Sequence, residues 1–177
     1  ALGPRLVTPT GLPRAGDVNG DGEVDILVGA YQESTGGPSV GAVYLVLGPH
    51  DASDSLASAG IKISGVNAEN RVGLSVAGLG DTNGDGLDDI AIGADREDGS
   101  ISNSGAVYLF SDELSSDLTV ADANAVYRGV ETNQNAGTSV AGAGDINGDG
   151  YHDLLVGGPG QNSGFGSAGS AWVVFGP

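Results

Sequence analysis

The chain has 177 residues, 39% hydrophobic and 16% charged, so it is long enough and apolar enough to fold around a buried core. Six basic residues against 23 acidic ones give a formal charge of −17, which argues against nucleic acid and against anionic membrane surfaces as partners. The absence of cysteine excludes disulfides and thiolate metal sites. No apolar stretch approaches the roughly 18 residues needed to insert into a membrane. Because it has neither a signal segment nor a methionine, we expect a mature or excised product.

The first predicted elements follow an N-terminal segment, residues 1–16, in which three prolines within the first 13 positions predict an irregular segment or a degenerate first strand. An acidic loop, DVNGDGEVD at 17–25, comes next and runs into the strand VDILVGA. Two further strands are predicted, GAVYLVLG from Gly41 and IKISG ending at Gly65. The strand GLSVAGLG then leads into a second acidic loop.

The same order of elements recurs with a period of 64 residues, because the acidic loops begin at Asp17, Asp81 and Asp145. The second loop, DTNGDGLDD, is followed by the strands DDIAIGA, GAVYLF and AVYRG. The third loop, DINGDGYHD, is preceded by GTSVAGAG and followed by HDLLVGG and GSAWVVFG, without a fourth strand. The chain is therefore a tandem array, which we divide into repeats over 17–80, 81–144 and 145–177.

Short strands, turn-rich connections and 33 glycines predict an all-β fold. Tandem four-stranded units of this length are typical of β-propeller blades. We therefore predict one propeller-type domain of about three blades, each with four antiparallel strands. The VDILVGA-type strands are expected to be buried on both faces because they are dense in Ile, Leu and Val. The best helical candidate, residues 112–126, is expected to hold at most one turn.

The number of blades leaves the ring open, since closed propellers usually have four to eight. Exposed edge strands favour pairing with another chain. Two arrangements therefore remain: a fragment of a larger propeller chain, or a partial propeller that a homo-oligomer completes.

Each loop has the pattern Asp, x, Asn, Gly, Asp, Gly, x, x, Asp. Side-chain oxygens at positions 1, 3, 5 and 9, with the carbonyl of position 7, could surround one hard cation. Ca²⁺ suits this set better than Mg²⁺, which requires a stricter octahedron. Metal-free hairpin turns also use Asn-Gly and Asp-Gly, but a turn does not need three acids in three copies. We predict three structural Ca²⁺ sites, because no separate acid or base converges on any loop.

An EF-hand begins with nearly the same spacing, but it needs a bidentate Glu at position 12 and helices on both sides. Position 12 is occupied by Val28, Ile92 and Val156, each within a predicted strand. The EF-hand interpretation therefore fails, and the carboxylate at position 9 must close the site.

The stretches GLSVAGLGDTNGDGLDDIAIGAD and GTSVAGAGDINGDGYHDLLVGGP, with the GAVYLF strand, resemble the FG-GAP repeat of integrin α-subunit propellers. In that family the loop binds Ca²⁺ between two strands of a blade. The resemblance implies that the side-chain ligands are Asp17, Asn19, Asp21 and Asp25; Asp81, Asn83, Asp85 and Asp89; and Asp145, Asn147, Asp149 and Asp153. The carbonyls of Glu23, Leu87 and Tyr151 would complete the three shells.

The resemblance implies a calcium-binding module that acts as a scaffold for adhesion or protein interaction, secreted or at the cell surface. The alternative is a carbohydrate-binding propeller or an accessory propeller of a secreted enzyme; Trp172 is then a candidate sugar-stacking platform rather than a packing residue. The ligand, protein or glycan, is not specified by the sequence. We expect no enzyme activity, because neither His50 nor His152 lies in a recognisable nucleophile motif.

Overall fold

The structure is a computed structural model that describes residues 14–50, 60–160 and 168–177. The fold is all-β, as predicted, and its strands form three sheets. The first sheet contains β1 (Arg14–Gly16), β2 (Asp25–Ala30), β3 (Ala42–Val46) and β4 (Ile61–Ser64). The second contains β5 (Ser75–Gly80), β6 (Asp89–Ala94), β7 (Ala106–Phe110) and β9 (Ala125–Arg128). The third contains β10 (Ser139–Gly144), β11 (Asp153–Gly158) and β12 (Ser170–Val174). These sheets are the blades of a partial propeller.

The 64-residue period is preserved in the strand register. The pairs Ile26↔Val46, Ile90↔Phe110 and Leu154↔Val174 each join the second strand of a sheet to the third strand at equivalent positions. Each sheet begins with the strand that precedes an acidic loop, so β5 belongs to the second sheet although it lies in the repeat 17–80. Within the N-terminal segment, residues 14–16 form β1, and residues 1–13 lie outside the described part of the chain.

The second sheet lies between the other two: β10 packs against β5 and β6 on one side, and β1 and β2 pack against β5 on the other. All six residues of β6 are buried, as predicted. The prediction of burial on both faces is wrong for β2, where Ile26, Val28 and Ala30 are half-buried and Gly29 is exposed. It is also wrong for β11, where Leu155 is 40% exposed. In this partial ring only the second sheet has a described neighbour on both faces.

The connection between β7 and β9 carries the single predicted turn, a 3₁₀ helix at Val120–Asp122. Thr119 caps this helix, and the Asp122 carboxylate accepts the Thr119 N–H in return. The same connection contains a feature that the sequence did not predict: β8 (Leu118–Thr119) pairs in parallel with β4 and so adds a fifth strand to the first sheet. Within the described ranges, no helix has the length and apolar character needed to cross a membrane.

Candidate metal centres

The three acidic loops occupy equivalent places in the fold. Residues 17–24 join β1 to β2, residues 81–88 join β5 to β6, and residues 145–152 join β10 to β11. Each loop begins directly after the glycine at which the register of its two flanking strands shifts. The loops therefore lie at the same end of consecutive sheets.

In the second loop the backbone turns around Asp81, at position 1. One Asp81 carboxylate oxygen accepts the Gly84 N–H at 2.6 Å, and the other accepts the Gly86 N–H at 3.0 Å. This curl requires φ values of +83° at Gly84 and +89° at Gly86, a region that L-residues with side chains avoid. Asn83 accepts the Asp85 N–H at 2.9 Å and donates its side-chain amide to the Asp85 carboxylate at 2.9 Å.

The first and third loops repeat this arrangement. The position 1 carboxylate accepts the N–H of position 6 at 2.9 Å in both loops. The position 3 amide donates to the position 5 carboxylate at 2.9 Å in the first loop and 2.6 Å in the third. The residues at positions 1, 3 and 5 are Asp17, Asn19 and Asp21 in the first loop, and Asp145, Asn147 and Asp149 in the third. The structure thus brings the predicted side-chain ligands of positions 1, 3 and 5 together within each tight turn.

The carboxylates at position 9 are buried: Asp25 and Asp153 are 0% exposed and Asp89 is 2% exposed. Asp25 accepts the N–H groups of Val18 at 3.0 Å and Gly48 at 2.9 Å. Asp153 accepts the equivalent N–H groups of Ile146 at 2.7 Å and Gly176 at 3.0 Å. Asp89 accepts the N–H of Thr82 at 2.7 Å and also its hydroxyl. Each position 9 side chain therefore fastens the start of its loop to the buried end of the second strand.

Two of these buried carboxylates are energetically costly to ionise. Burial raises the pKa of Asp25 above 3.8, and the negative charges of Asp21 and Asp17 raise it further against the opposing backbone hydrogen bonds. Burial likewise raises the pKa of Asp89, with Asp85 and Asp81 as the neighbouring negative charges. For Asp25 and Asp89, burial is the main cause of the raised pKa, and the like charges of the same loop add a smaller contribution.

The more exposed acids of the loops behave differently. The side-chain amide of Asn19 and the N–H of Glu23 lower the pKa of Asp21. Burial acts to raise the pKa of Asp81, but hydrogen bonds from the backbone N–H groups of its own loop outweigh burial, so the pKa is lowered. At neutral pH these oxygens carry the negative charge that a cation needs.

Position 7 was predicted to supply a carbonyl ligand from Glu23, Leu87 and Tyr151. Their N–H groups donate to the carboxylate at position 5, at 2.9, 2.8 and 2.9 Å respectively. Two of these side chains also reach the preceding loop. A Cβ atom at Gly20 would lie 3.1 Å from Leu87 Cδ2, and one at Gly84 would lie 2.7 Å from Tyr151 Cε1.

Position 8 joins neighbouring loops, a role that the sequence analysis missed. Asp88 accepts the Asp17 N–H at 2.8 Å and donates its own N–H to the Asp17 carbonyl at 3.1 Å. In the next pair, the His152 N–H donates to the Asp81 carbonyl at 3.0 Å. The sequence carries no local signal for these contacts, because the two positions are 71 residues apart and position 8 has no residue type common to the three loops. The three loops therefore form one continuous row.

The donor chemistry of the loops fits a calcium ion. Every candidate ligand is an oxygen, and one carboxylate of each set is held in a buried position. Ion pairs join Lys62 to Glu33, Arg71 to Asp95 and Arg128 to Glu97, and these acids lie outside the loops. In residues 14–50, 60–160 and 168–177 no three histidine, cysteine or acidic side chains already form a metal-ligating cluster. Each loop would therefore have to turn its carboxylates from backbone N–H groups toward the ion.

Comparison with known proteins shows which family this architecture represents. The FG-GAP repeat profile matches three segments, residues 13–46, 72–110 and 136–174, each of which contains the first three strands of one sheet. Mouse integrin alpha-IIb is 38% identical over 146 residues, covering 80% of this chain and 14% of the relative. Drosophila melanogaster integrin alpha-PS2 is 32% identical over 152 residues, covering 80% of this chain and 11% of the relative. Rat phosphatidylinositol-glycan-specific phospholipase D is 32% identical over 151 residues, covering 81% of this chain and 17% of the relative.

The chain thus spans a small part, between 11% and 17%, of the length of these three relatives. The similarity extends over most of the chain, and the matched segments contain the three acidic loops and their flanking strands. The chain belongs to the FG-GAP repeat family, as an integrin-like propeller module.

Proposed function

We propose that each acidic loop binds one Ca²⁺ and that the chain is a calcium-stabilised propeller module serving as an extracellular scaffold for adhesion or protein interaction. The observation that carries the proposal is the buried carboxylate at position 9, which lies beside the other acids of its own loop in the first two repeats. A bound cation would compensate this charge. The ligands would be the side chains at positions 1, 3, 5 and 9 and the carbonyl at position 7.

The ion would have a structural role, because its ligands come from one turn and its neighbours are the adjacent loops. Asp88 binds the backbone of Asp17, and His152 binds that of Asp81, so a rigid second loop would hold both neighbours in place. Extracellular calcium modules bind with dissociation constants of roughly 10⁻⁴–10⁻³ M, and we expect the three loops to bind calcium in that range. The similarity to integrin alpha chains supports an adhesive role in that location.

A second candidate function is an accessory or carbohydrate-binding propeller of a secreted enzyme. The similarity to phosphatidylinositol-glycan-specific phospholipase D supports this alternative. A glycan array probed with and without calcium separates the two functions. Saturable glycan binding that chelation abolishes would favour the carbohydrate-binding function, and the absence of any glycan binding would favour the protein scaffold.

Calcium titration by calorimetry is expected to give three ions per chain, and two for the variant Asp89→Asn. Asparagine keeps the shape of the side chain and can still accept the Thr82 N–H, but it removes a negative charge from the second site. The matched control is Asp88→Asn, one residue earlier, which should keep a stoichiometry of three. Fewer than three ions in the unchanged protein, or an equal loss in both variants, would contradict the proposed ligand set.

The stabilisation by calcium is expected to shrink as the pH is lowered from about 7 towards 4. The raised pKa values of Asp25 and Asp89 mean that protons compete with calcium at a higher pH than for exposed aspartates. In the metal-free protein the dependence of stability on pH has the opposite sign. A carboxylate whose pKa is raised in the folded state stabilises the fold at low pH, and this contribution is lost as the pH rises through that pKa. Thermal unfolding with calcium and with EDTA across this range measures the difference. A difference that stays constant would contradict the assignment of these two carboxylates.

A further inference from the structure

Asp88 lies between two proposed ligands of the second calcium site and contacts a proposed ligand of the first. It occupies position 8 of the second loop, with Leu87 before it and Asp89 after it. Its carboxylate accepts the Asp17 N–H at 2.8 Å, and its own N–H donates to the Asp17 carbonyl at 3.1 Å. A single residue of the second loop therefore holds both backbone polar groups of the residue at position 1 of the first loop.

Asp17 sets the curl of the first loop. One of its carboxylate oxygens accepts the Asp21 N–H at 3.0 Å, and the other accepts the Gly22 N–H at 2.9 Å. Asp88 can reach the backbone of Asp17 because the preceding residue is Gly16, where a Cβ atom would occupy the place of the Asp88 carboxylate. A shift of Asp88 would therefore move the residue around which the first loop turns.

A second connection joins the same two loops through the chain that follows β7. The side-chain amide of Asn83, at position 3 of the second loop, donates to the Ser111 carbonyl at 2.7 Å. Three residues later the N–H of the buried Leu114 donates to the Val18 carbonyl at 3.3 Å, at position 2 of the first loop. The first loop therefore receives two contacts that depend on the arrangement of the second.

The junction between the second and third loops lacks the carboxylate contact. His152 takes the place of Asp88, and its N–H donates to the Asp81 carbonyl at 3.0 Å, so the backbone hydrogen bond is kept. An imidazole replaces the carboxylate, however, and a hydrogen bond to a carboxylate is roughly twice as strong as one between neutral groups. The first loop is therefore joined more firmly to the second than the second is to the third.

We propose that Asp88 is a positioning residue that couples calcium binding in the first loop to calcium binding in the second. The inference rests on the proposed calcium function. When the second loop holds an ion, Leu87 and Asp89 are fixed as ligands, and Asp88 between them holds Asp17 in one place. The first loop then loses less conformational freedom on binding its own ion, so its affinity rises. By linkage, an ion in the first loop raises the affinity of the second by the same factor.

The test titrates the nitrogen-labelled protein with Ca²⁺ and follows one amide signal in each loop by NMR. The reporters are the glycines at position 6, whose N–H groups donate to the position 1 carboxylate that must turn toward the ion: Gly22, Gly86 and Gly150. In Asp89→Asn, which should leave the second site empty, we expect the calcium affinity reported by Gly22 to fall about fivefold or more. The affinity reported by Gly150 should fall less.

Electrostatics alone predicts the opposite result for Asp89→Asn. An empty second loop that has lost one carboxylate is more negative than a loop in which three carboxylates surround a divalent ion. The empty loop would therefore attract Ca²⁺ to the first site more strongly. A weaker first site in this variant hence reports the loss of positioning rather than a change of charge.

Substitution of Asp88 separates the effect of its hydrogen bond from that of its charge. Asp88→Ala removes the acceptor of the Asp17 N–H and should lower the affinity reported by Gly22 about fivefold. Asp88→Asn keeps an oxygen acceptor without the charge and should restore most of that affinity. The control is Asp98→Asn, an exposed acid in the connection after β6, at the other end of that strand, and it should leave the three affinities unchanged.

The double variant Asp88→Ala/Asp89→Asn should weaken the first site by less than the two single effects combined, because both act through the same connection. Equal affinities reported by Gly22 in the unchanged protein, Asp89→Asn and Asp88→Ala would overturn the coupling, although the calcium function would stand. Equal weakening by alanine and asparagine at position 88 would overturn the role of the hydrogen bond. If none of the three glycine signals responds to Ca²⁺, the calcium function fails and the coupling fails with it.

Discussion

Removal of calcium with excess EDTA is expected to lower the midpoint of thermal unfolding by about 15–30 °C. At a calcium concentration 100 times the dissociation constant, which is roughly 10–100 mM for the affinities of extracellular modules, each site contributes about 2.7 kcal/mol, so three independent sites contribute roughly 8 kcal/mol. For a chain of this size, 1 kcal/mol corresponds to about 2–4 °C. The loss arises because each loop is left with acids that no cation neutralises, one of them on a side chain that is at most 2% exposed.

The loss should be shared by all three sheets, because positions 7 and 8 connect each loop to the one before it. Calorimetry or circular dichroism in calcium, in EDTA, and in EDTA followed by excess calcium measures the effect and its reversal. Magnesium at the same concentration serves as the control and should restore less than half of the shift, because the irregular loop suits Mg²⁺ poorly. An unfolding midpoint that does not change in EDTA would contradict a structural role for calcium.

Much of the fold could be predicted because the sequence repeats one order of strands and acidic loops. The acidic loop and the dense aliphatic strand after it occur three times at a spacing of 64, and the strand of small and apolar residues before the loop occurs twice, as GLSVAGLG and GTSVAGAG; each became a strand or loop at the expected position. The turn within 112–126 was also predicted correctly, since Thr119 and Asp122 form a capping box. Local chemistry decides these features.

The features that sequence did not reveal depend on contacts between repeats. The pairing of Leu118 with Ile63 joins positions 55 residues apart, and no local pattern in either strand requires it. The contact of Asp88 with Asp17 spans 71 residues and involves a loop position without a shared residue type. The burial of β2 and β11 was overestimated for the same reason. An aliphatic strand shows that a face can be covered, but whether a neighbour covers it depends on the assembly of the sheets.

Contacts that only the folded chain shows also limit what the sequence could predict about the candidate metal sites. Sequence chemistry identified the oxygen ligands, because three acids and an amide in one tight turn have few other uses. It could not show that the position 9 carboxylates also bind backbone N–H groups of their own loops, at 3.0 Å for Val18 and 2.7 Å for Ile146. Position 9 therefore stabilises the fold of the loop in addition to its proposed role as a ligand. For this reason the stoichiometry test replaces Asp89 with asparagine, which can still accept the Thr82 N–H, rather than with alanine.

The substitution Gly105→Ala is expected to destabilise the protein by about 3–5 kcal/mol, which corresponds to roughly 6–20 °C in the unfolding midpoint. Gly105 has a φ of +76°, and a Cβ atom there would lie 2.2 Å from the Ala136 carbonyl oxygen and 2.4 Å from the Ala136 nitrogen. The clash is with backbone that cannot easily move, because the Ala136 N–H donates to the Ser104 carbonyl at 3.0 Å. This close approach is where the second sheet receives the chain that leads into the third.

The matched control for this variant is Gly36→Ala. Gly36 has a φ of +100°, but a Cβ atom there would meet nothing within 4 Å. The free energy of unfolding of Gly36→Ala should therefore fall only by the cost of a left-handed backbone conformation, about 1–2 kcal/mol. Urea unfolding of both variants in calcium separates the two contributions, and equal losses would contradict the steric argument. Since a Cβ atom at Gly41 would approach Val72 just as closely, at 2.2 Å, Gly41→Ala should repeat the larger loss at the junction of the first and second sheets.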